Sequence, residues 1–339
     1  MDDLFSGALR QLLEGRCTPQ AVRQIEGGAP AQPLGQAIEE SGFADALVPE
    51  AQGGAGLGLP QAFPLLQLCG AFALPVPLPE TMLVRALFAQ AGLALPKGAV
   101  ALAEEAVLTK DGAIRCEGVR HGRTADAVLV AHGGQCRLLP AASATREAAV
   151  FPLDATLQWP AAAWAQATVL PGAHDLRTLH AVLAAAQLAG ALMAVCERTL
   201  QYANERVQFG RPIGKFQAIQ HQLSVIAEHA FAARMAAQIG CQCAGLAPEP
   251  LRAAIAKART GEAAVEVAAL AHSIHGAIGF TAEFDLQLLT RRLHLWRQTA
   301  GSESYWHGVA GAALLDAPEG LALDTLRAAT DIHTLETTA

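Results

Sequence analysis

An arginine, a phenylalanine and a glutamine surround a glycine- and proline-rich turn near the middle of the chain. The turn is Arg206–Gln217, with the sequence Arg-Val-Gln-Phe-Gly-Arg-Pro-Ile-Gly-Lys-Phe-Gln. The chain has a net charge of −7 and no basic cluster, so an anionic ligand requires local arginines of this kind. Gly210, Pro212 and Gly214 make the turn, because proline fixes its own φ and glycine permits positive φ. From the residues alone, the more ordinary interpretation is a helical hairpin with a stapling aromatic side chain.

Two long helical patterns flank this turn and must position it. From His174 to Arg206 there is no proline and only one glycine, Gly190, which predicts a single long helix. Its apolar residues recur at roughly helical spacing: Leu179, Leu183, Leu188, Leu192, Val195 and Leu200. A second helix is predicted from Phe216 to Ile239, which contains neither glycine nor proline. We therefore expect the second helix to return beside the first.

The turn resembles the Arg-x-x-Phe-Gly-x-Pro-Ile-x-x-Phe-Gln signature of acyl-CoA dehydrogenases. The matching residues are Arg206, Phe209, Gly210, Pro212, Ile213, Phe216 and Gln217. In that family the arginine and the phenylalanine hold the pyrophosphate and adenosine part of a neighbouring subunit's FAD. The resemblance implies an FAD cofactor shared across a subunit interface.

Two other loops resemble the same family, in the same order along the chain. Val48–Leu57 is similar to the Pro-Glu-x-x-Gly-Gly-x-Gly loop of the N-terminal helical domain, and no strand or Gly-Lys-Ser/Thr accompanies it as a phosphate loop requires. His275–Glu283 is similar to the Gln-x-His-Gly-Gly-x-Gly-Phe-Thr-x-Glu turn, whose backbone approaches the partner's FAD. Ser273 replaces the usual glutamine and Ala277 the second glycine, so we expect a weaker contact. The FAD-binding candidates implied are Arg206, Phe209, Gly210, Gln217, Ser273, Gly276, Ala277 and Ser302.

Patterning along the chain predicts an α+β fold that is mostly α. Residues 1–96 are predicted to form an N-terminal helical domain, with helices at Leu4–Leu13, Leu34–Gly42 and Glu80–Ala91. Residues 97–170 are predicted to form a small, shortened β domain, with strand-like runs at 99–102, 113–116, 127–131 and 136–139. Residues 171–339 are predicted to form a four-helix bundle, whose third and fourth helices are Pro250–Ile274 and Asp285–Ala300.

The β domain departs from the family in two places. No counterpart of the Thr-Glu-Pro-x-Ala-Gly-Ser-Asp segment, which covers the flavin and the thioester, is found. Between Gly118 and Asp126 the spacing is too short for the Trp-x-Thr strand that touches the isoalloxazine. We therefore expect this chain to lack parts that would enclose a flavin of its own.

The base that removes the substrate's α proton is also not evident. In most of the family it is the glutamate of a Tyr-Glu-Gly-Thr loop after the fourth helix, and ungapped counting gives Ala300 at that position. Some members place the glutamate near the start of the first bundle helix, which corresponds here to His180. His180 has the pKa for a base, but a histidine packed on a helix face is the simpler interpretation. Glu303 is a weaker candidate, and an exposed carboxylate at a helix start is expected there.

Composition limits the remaining possibilities. The acidic N-terminus lacks a basic region and an apolar core, and no uninterrupted apolar run of membrane-spanning length occurs, so we expect a cytoplasmic protein outside the membrane. The seven cysteines are scattered without metal-ligand spacing and are expected to be reduced thiols. Without a basic cluster, nucleic acid binding is not expected.

Three functions remain open at this point. The first is a subunit supporting FAD-dependent α,β-desaturation of an acyl-CoA, acting as the smaller, base-lacking partner of a heteromeric complex and passing electrons to an electron-transfer flavoprotein. The second is a self-sufficient homo-oligomeric dehydrogenase with a non-standard base. The third is a non-catalytic acyl-CoA or protein-binding module on the same fold. The retained FAD motif favours the first, and the acyl group, whether fatty, branched or steroid-derived, stays open.

Overall fold

The computed structural model describes residues 2–316 and 321–331, which form two compact units. Unit 1 comprises the described residues up to Ala62 and those from Leu74 to His180, and unit 2 comprises Phe63–Ala73 and the described residues from Ala181 onward. Helices come first, then short strands, then long helices, and this order confirms the expected mostly α, α+β fold. The finer division at 96/97 and 170/171 stays a prediction.

The first hundred residues form helices, as predicted, although two of the five were not foreseen. Their bounds are α1 Asp2–Arg16, α2 Pro19–Glu26, α3 Gln32–Ser41, α4 Leu59–Ala71 and α5 Leu78–Gln90. Helix α3 ends at Gly42, whose φ of 78° gives the left-handed cap that glycine supplies without strain. Helix α2 was missed although Thr18 caps it, accepting a hydrogen bond from the Ala21 amide at 3.2 Å.

Buried Arg85 links α5 to α3 and to the short turn that follows α3. Its guanidinium donates to Glu39 at 2.7 Å and to Asp45 at 2.9 Å. Arg85 is only 3% exposed, so its charge requires both carboxylates as partners.

The strands of unit 1 form two four-stranded sheets. Their bounds are β1 Val100–Ala103, β2 Val107–Leu108, β3 Ile114–Val119, β4 Ala127–His132, β5 Gln135–Pro140, β6 Thr145–Ala148, β7 Ala155–Trp159 and β8 Thr168–Leu170. The sheet orders are β1-β4-β5-β8 and β2-β3-β7-β6, and only the β1–β4 pair is parallel. The four predicted strands correspond to β1, β3, β4 and β5, whereas the other four were missed.

The connection between β3 and β4 is a compact turn. Across this described part of the chain no strand is inserted between Val119 and Ala127, as the short spacing predicted. His121 lies in this turn with a φ of 55° and is only 3% exposed. Its backbone amide donates to the buried Asp154 carboxylate at 3.1 Å, which fixes the turn in the protein interior.

The helices of unit 2 are long and pack around a shared apolar core. After the short α6 Ala161–Gln166 of unit 1, the bounds are α7 Leu176–Glu205, α8 Gln217–Gly240, α9 Pro250–His275, α10 Leu286–Trp296, α11 Glu303–Leu315 and α12 Ala322–Thr330. The unit boundary at His180 falls inside α7. The predicted fourth helix ends at Trp296, four residues before Ala300, because a tight turn carries residues 297–302. Leu200, one of the apolar residues that recur at helical spacing in α7, is 49% exposed.

Helices α7 and α9 are apolar and long enough to cross a membrane by length and composition alone. In α7, 83% of the most apolar window is buried within the protein. Both helices contribute to the core of unit 2 through Leu192, Val195, Val267 and Ile274. They are core helices of a folded unit.

Helices α4 and α7 cross at two glycines. A Cβ at Gly190 would lie 1.9 Å from the carbonyl oxygen of Gln67, and a Cβ at Gly70 would lie 1.9 Å from that of Gln187. Real Cβ atoms do not approach backbone so closely, so the crossing exists only because both positions are glycine. Gly190 is the single glycine within the helix predicted from His174 to Arg206.

We predict that Gly190→Ala destabilises the protein by about 2 kcal/mol or more, because backbone must move to accommodate the methyl group. Gly308→Ala is the control: it lies in α11 with no atom within 4 Å of the added Cβ. That change should stabilise by about 0.5–1 kcal/mol through helix propensity. Urea unfolding of both variants measures the difference, and equal stability would contradict a glycine-dependent crossing.

Candidate functional site

The turn after α7 is a two-residue β-hairpin that displays an aromatic ring. Strands β9 Val207–Gln208 and β10 Arg211–Pro212 pair across Phe209 and Gly210, whose φ angles are 51° and 78°. Glycine adopts this conformation freely, whereas phenylalanine is strained by roughly 1–3 kcal/mol. Phe209 is 93% exposed, so no burial of its own offsets the strain. A strained, exposed aromatic residue points to a ligand or a partner.

A second turn follows α9. His275 ends the helix, and Gly276 adopts a φ of 66° with a ψ of −147°, a conformation that is essentially restricted to glycine. A short 3-10 helix, Gly276–Phe280, continues from it. Ala277, where the family has glycine, has no positive φ and is exposed, so the backbone accepts this replacement without strain.

These two turns form the walls of one cleft of about 620 Å³ in unit 2. One wall comes from residues 202–219 and the other from residues 273–278. Five of the predicted FAD-binding residues line it: Arg206, Phe209, Ser273, Gly276 and Ala277. Gly210, Gln217 and Ser302 do not line it. The volume is within the range of small-molecule sites.

The cleft combines one arginine with apolar surface. Arg206 is its cation, and Phe209, Phe216 and Ile213 supply aromatic and aliphatic area. Burial lowers the pKa of His275, which outweighs its hydrogen bond to the Ala271 carbonyl, so the imidazole is neutral near pH 7. A single cation beside apolar walls suits an anionic group attached to an aromatic ring system. Adenosine diphosphate, as part of FAD, has this chemistry.

Several cleft residues were missed from the sequence: Tyr202, Gln208, Ile219, Ile274 and Ile278. Tyr202 lies one helical turn before Arg206, so the i, i+4 spacing was the available signal. The others carry no chemistry that marks them in a sequence.

The loop where most family members carry the base has no carboxylate. Ala300 has a φ of 56°, and its carbonyl accepts a hydrogen bond from the Trp306 indole at 3.1 Å. Fully buried Lys257 donates to the carbonyls of Arg297 at 2.7 Å and Gly301 at 2.9 Å. A buried ammonium and an indole therefore fix the loop from two sides.

Glu303 begins α11, as expected, but the prediction that it is exposed is wrong. It is only 9% exposed, and its carboxylate accepts a hydrogen bond from Arg297 at 2.6 Å. Burial raises the pKa of Glu303, yet the Arg297 bond outweighs burial and leaves that pKa below its usual value. It packs against Gly261, where a Cβ would lie 2.7 Å from the Glu303 side chain. A carboxylate with a lowered pKa is a poor proton acceptor.

His180 is buried in unit 1 between two carboxylates. Its Nδ1 contacts Glu104, and its Nε2 lies 3.5 Å from Glu80. Burial lowers the pKa of His180, but the charges and hydrogen bonds of Glu104 and Glu80 outweigh it and raise the pKa to about 9. At neutral pH the ring is an imidazolium without a lone pair to accept a proton. The geometry favours a structural ion-paired role over proton abstraction.

Comparisons with a family model, with characterised proteins and with solved structures all find acyl-CoA dehydrogenases. Residues 178–315 match the family described as "Acyl-CoA dehydrogenase, C-terminal domain". The chain is 34% identical to the acyl-CoA dehydrogenase IpdE2 of Mycobacterium tuberculosis, over 76% of this chain and 78% of the relative. A solved steroid acyl-CoA dehydrogenase, Tcur3481-Tcur3483, superposes with a TM-score of 0.81 at 26% identity, covering 93% of this chain and 98% of that one. The ChsE4-ChsE5 complex of M. tuberculosis superposes with a TM-score of 0.80 at 20% identity, covering 94% of this chain and 98% of that one.

We predict an alkaline loss of stability that depends on His180. A raised folded-state pKa gives a contribution that is complete below the unfolded value of 6.5 and is lost as pH rises through about 9. His180→Gln should remove this dependence and cost about 3–5 kcal/mol at pH 7, because Glu80 and Glu104 lose the buried imidazolium that lies between them. Urea midpoints between pH 7 and 10 measure both effects.

The matched control is His307→Gln, since His307 pairs with Glu262 on the surface at 3.1 Å. It should change stability by less than about 0.5 kcal/mol at any of these pH values. If His180→Gln keeps the wild-type alkaline profile, the His180 ion-pair assignment is wrong.

Proposed function

Because the chain belongs to the acyl-CoA dehydrogenase family, we propose that it is the smaller subunit of a heteromeric, FAD-dependent acyl-CoA dehydrogenase. Members of this family are oxidoreductases that act on the CH–CH bond of an acyl-CoA thioester. In the proposed complex this chain holds the adenosine diphosphate half of a FAD whose flavin ring lies with the partner. The observation that carries the proposal is a cleft lined by Arg206, Phe209 and Gly276, in a chain with Ala300 at the expected base position.

The cleft residues support the cofactor part of this proposal. Arg206 supplies a positive charge for the pyrophosphate, and exposed Phe209 supplies a flat surface for the adenosine. Gly276 allows close approach of backbone, since it has no Cβ to hold phosphates away. When bound, FAD would accept the substrate's β hydrogen as hydride and pass its electrons to an electron-transfer flavoprotein.

The residues at and near the expected base positions support the proposal that a partner subunit supplies the base. Ala300 has no titratable group, Glu303 is ion-paired to Arg297, and His180 is held as a cation. Proton abstraction needs a base with a free lone pair at working pH. The base in the complex therefore comes from another acyl-CoA dehydrogenase-like subunit, as does the missing flavin enclosure.

The relatives support a steroid-derived acyl-CoA as the substrate class. One structural relative is described as a steroid acyl-CoA dehydrogenase, and another is described as a complex of two chains. The cleft itself does not select among acyl groups, since it holds the cofactor end of the site. We propose the steroid-derived thioester on the strength of the 26% identical structure.

Co-expression with an acyl-CoA dehydrogenase-like chain from the same gene neighbourhood tests the proposal. We expect a complex in which Arg206→Ala raises the FAD dissociation constant by roughly 10- to 100-fold, as expected for losing a charge-assisted hydrogen bond. The control is Arg211→Ala, whose guanidinium lies 4.3 Å from the Phe216 ring centroid and which does not line the cleft. It should change FAD affinity by no more than about threefold. Equal losses from both changes would count against the Arg206 assignment.

We predict that Glu303→Gln leaves turnover in the complex within about threefold of wild type, because the Glu303 carboxylate pairs with Arg297 and does not act as the base. Loss of the ion pair should appear in the melting temperature instead. The measurement is reduction of an artificial electron acceptor with acyl-CoA as donor, alongside the melting temperature. A loss of turnover by about a hundredfold or more at unchanged FAD content would identify Glu303 as the base instead.

A further inference from the structure

We propose that Tyr202 is a positioning residue that fixes the separation of the two cleft walls and so sets affinity for the adenosine diphosphate half of FAD. This inference rests on the proposed function of the cleft. Tyr202 itself lines the cleft and contacts both walls, one through its backbone and the other through its side chain.

The backbone of Tyr202 fixes Arg206. Tyr202 lies in the last turn of α7, and its carbonyl accepts a hydrogen bond from the Arg206 amide at 2.8 Å. On the other side, the Ile213 amide donates to the Arg206 carbonyl at 2.8 Å. The backbone of Arg206 is therefore held between the end of α7 and the far arm of the hairpin.

The side chain of Tyr202 fixes the opposite wall. Its hydroxyl donates to the His275 carbonyl at 3.3 Å, and its ring stacks on the His275 imidazole with centroids 4.3 Å apart and planes 22° apart. The His275 ring is held in turn because its Nδ1 donates to the Ala271 carbonyl at 2.7 Å. The His275 carbonyl that accepts this hydrogen bond belongs to the residue directly before Gly276. A shift of the Tyr202 side chain should therefore move the Gly276 turn.

Through these contacts the Tyr202 ring links the end of α7, which Arg206 directly follows, to the Gly276 turn. A stacked aromatic pair stabilises its geometry beyond the area that it buries, and a hydrogen bond adds to this. A rigid ligand that touches both walls needs this separation to be set before it binds, because ordering the walls on binding would reduce affinity. Tyr202 thus acts through Arg206 and the Gly276 turn.

Phe284 provides a matched control in the same aromatic cluster. Its ring meets Tyr202 edge-on at 5.9 Å and His275 at 5.2 Å, yet it does not line the cleft. Phe284→Leu removes aromatic packing of similar size without breaking the link between the walls. A purely structural role for Tyr202 predicts equal effects from Tyr202→Leu and Phe284→Leu.

The experiment is calorimetric titration of ADP into the purified chain, together with any partner that co-elutes, with the melting temperature as a second readout. We expect Tyr202→Leu to raise the ADP dissociation constant about tenfold or more, from loss of the stack and the hydrogen bond. Tyr202→Phe keeps the stack and should stay within about fivefold of wild type. Phe284→Leu should stay within about threefold, although its melting temperature falls as much as that of Tyr202→Leu.

A double-mutant cycle with Arg206→Ala separates positioning from stability. If Tyr202 acts by placing Arg206, Tyr202→Leu should weaken ADP binding by less than about threefold in the Arg206→Ala background. Additive losses, or equal ADP losses in Tyr202→Leu and Phe284→Leu, overturn the inference while the cleft assignment stands. No ADP binding to the wild type overturns both. Wild-type ADP binding with the expected cycle, but no FAD in any complex, supports the positioning role and overturns the proposed function.

Discussion

The cleft depends on the hydrogen bonds that hold the Arg206 backbone from both sides. Tyr202 holds its amide and Ile213 holds its carbonyl, so the hairpin closes directly on the end of α7. Closure in two residues forces Phe209 into a left-handed conformation and leaves its ring in solvent. The hairpin that strains Phe209 also places Phe209 and Arg206 side by side in the cleft.

The arrangement of charge is the main support for the proposal that a partner subunit supplies the base. Among the described residues that line the cleft, Arg206 is the one cation and His275 is a neutral imidazole, which suits an anionic cofactor group. At the positions where a base is expected, Ala300 has none and Glu303 is neutralised by Arg297. His180 is flanked by Glu80 and Glu104, which hold its proton. The cleft keeps an arginine and aromatic surface in a chain whose candidate bases are absent or already paired.

Local signals in the sequence predicted the parts of this account that local physics controls. The long helices around Arg206–Gln217 follow from periodicity and from the absence of proline, and Gly42 ends α3 as a glycine cap should. The motif residues Arg206, Phe209 and Gly276 do meet at one cleft. The missed strands β2, β6 and β8 have only two to four residues each. Strand β7 was missed although its five residues alternate between buried and half-buried positions.

Contacts between distant residues could not be predicted in this way. Tyr202 meets His275 across 73 positions, and His180 meets Glu104 across 76. The burial of Glu303 depends on the missing side chain of Gly261, which no spacing reveals. Each of these sets either the shape of the cleft or the protonation of a candidate base, so the chemistry was harder to predict than the fold.

The most direct test of the central claim is the FAD content per chain, measured by absorbance near 450 nm on the chain purified alone and on the co-expressed complex. The account predicts a colourless chain alone and a yellow complex that acyl-CoA bleaches. A chain that retains FAD by itself and is bleached by acyl-CoA without any partner would contradict it.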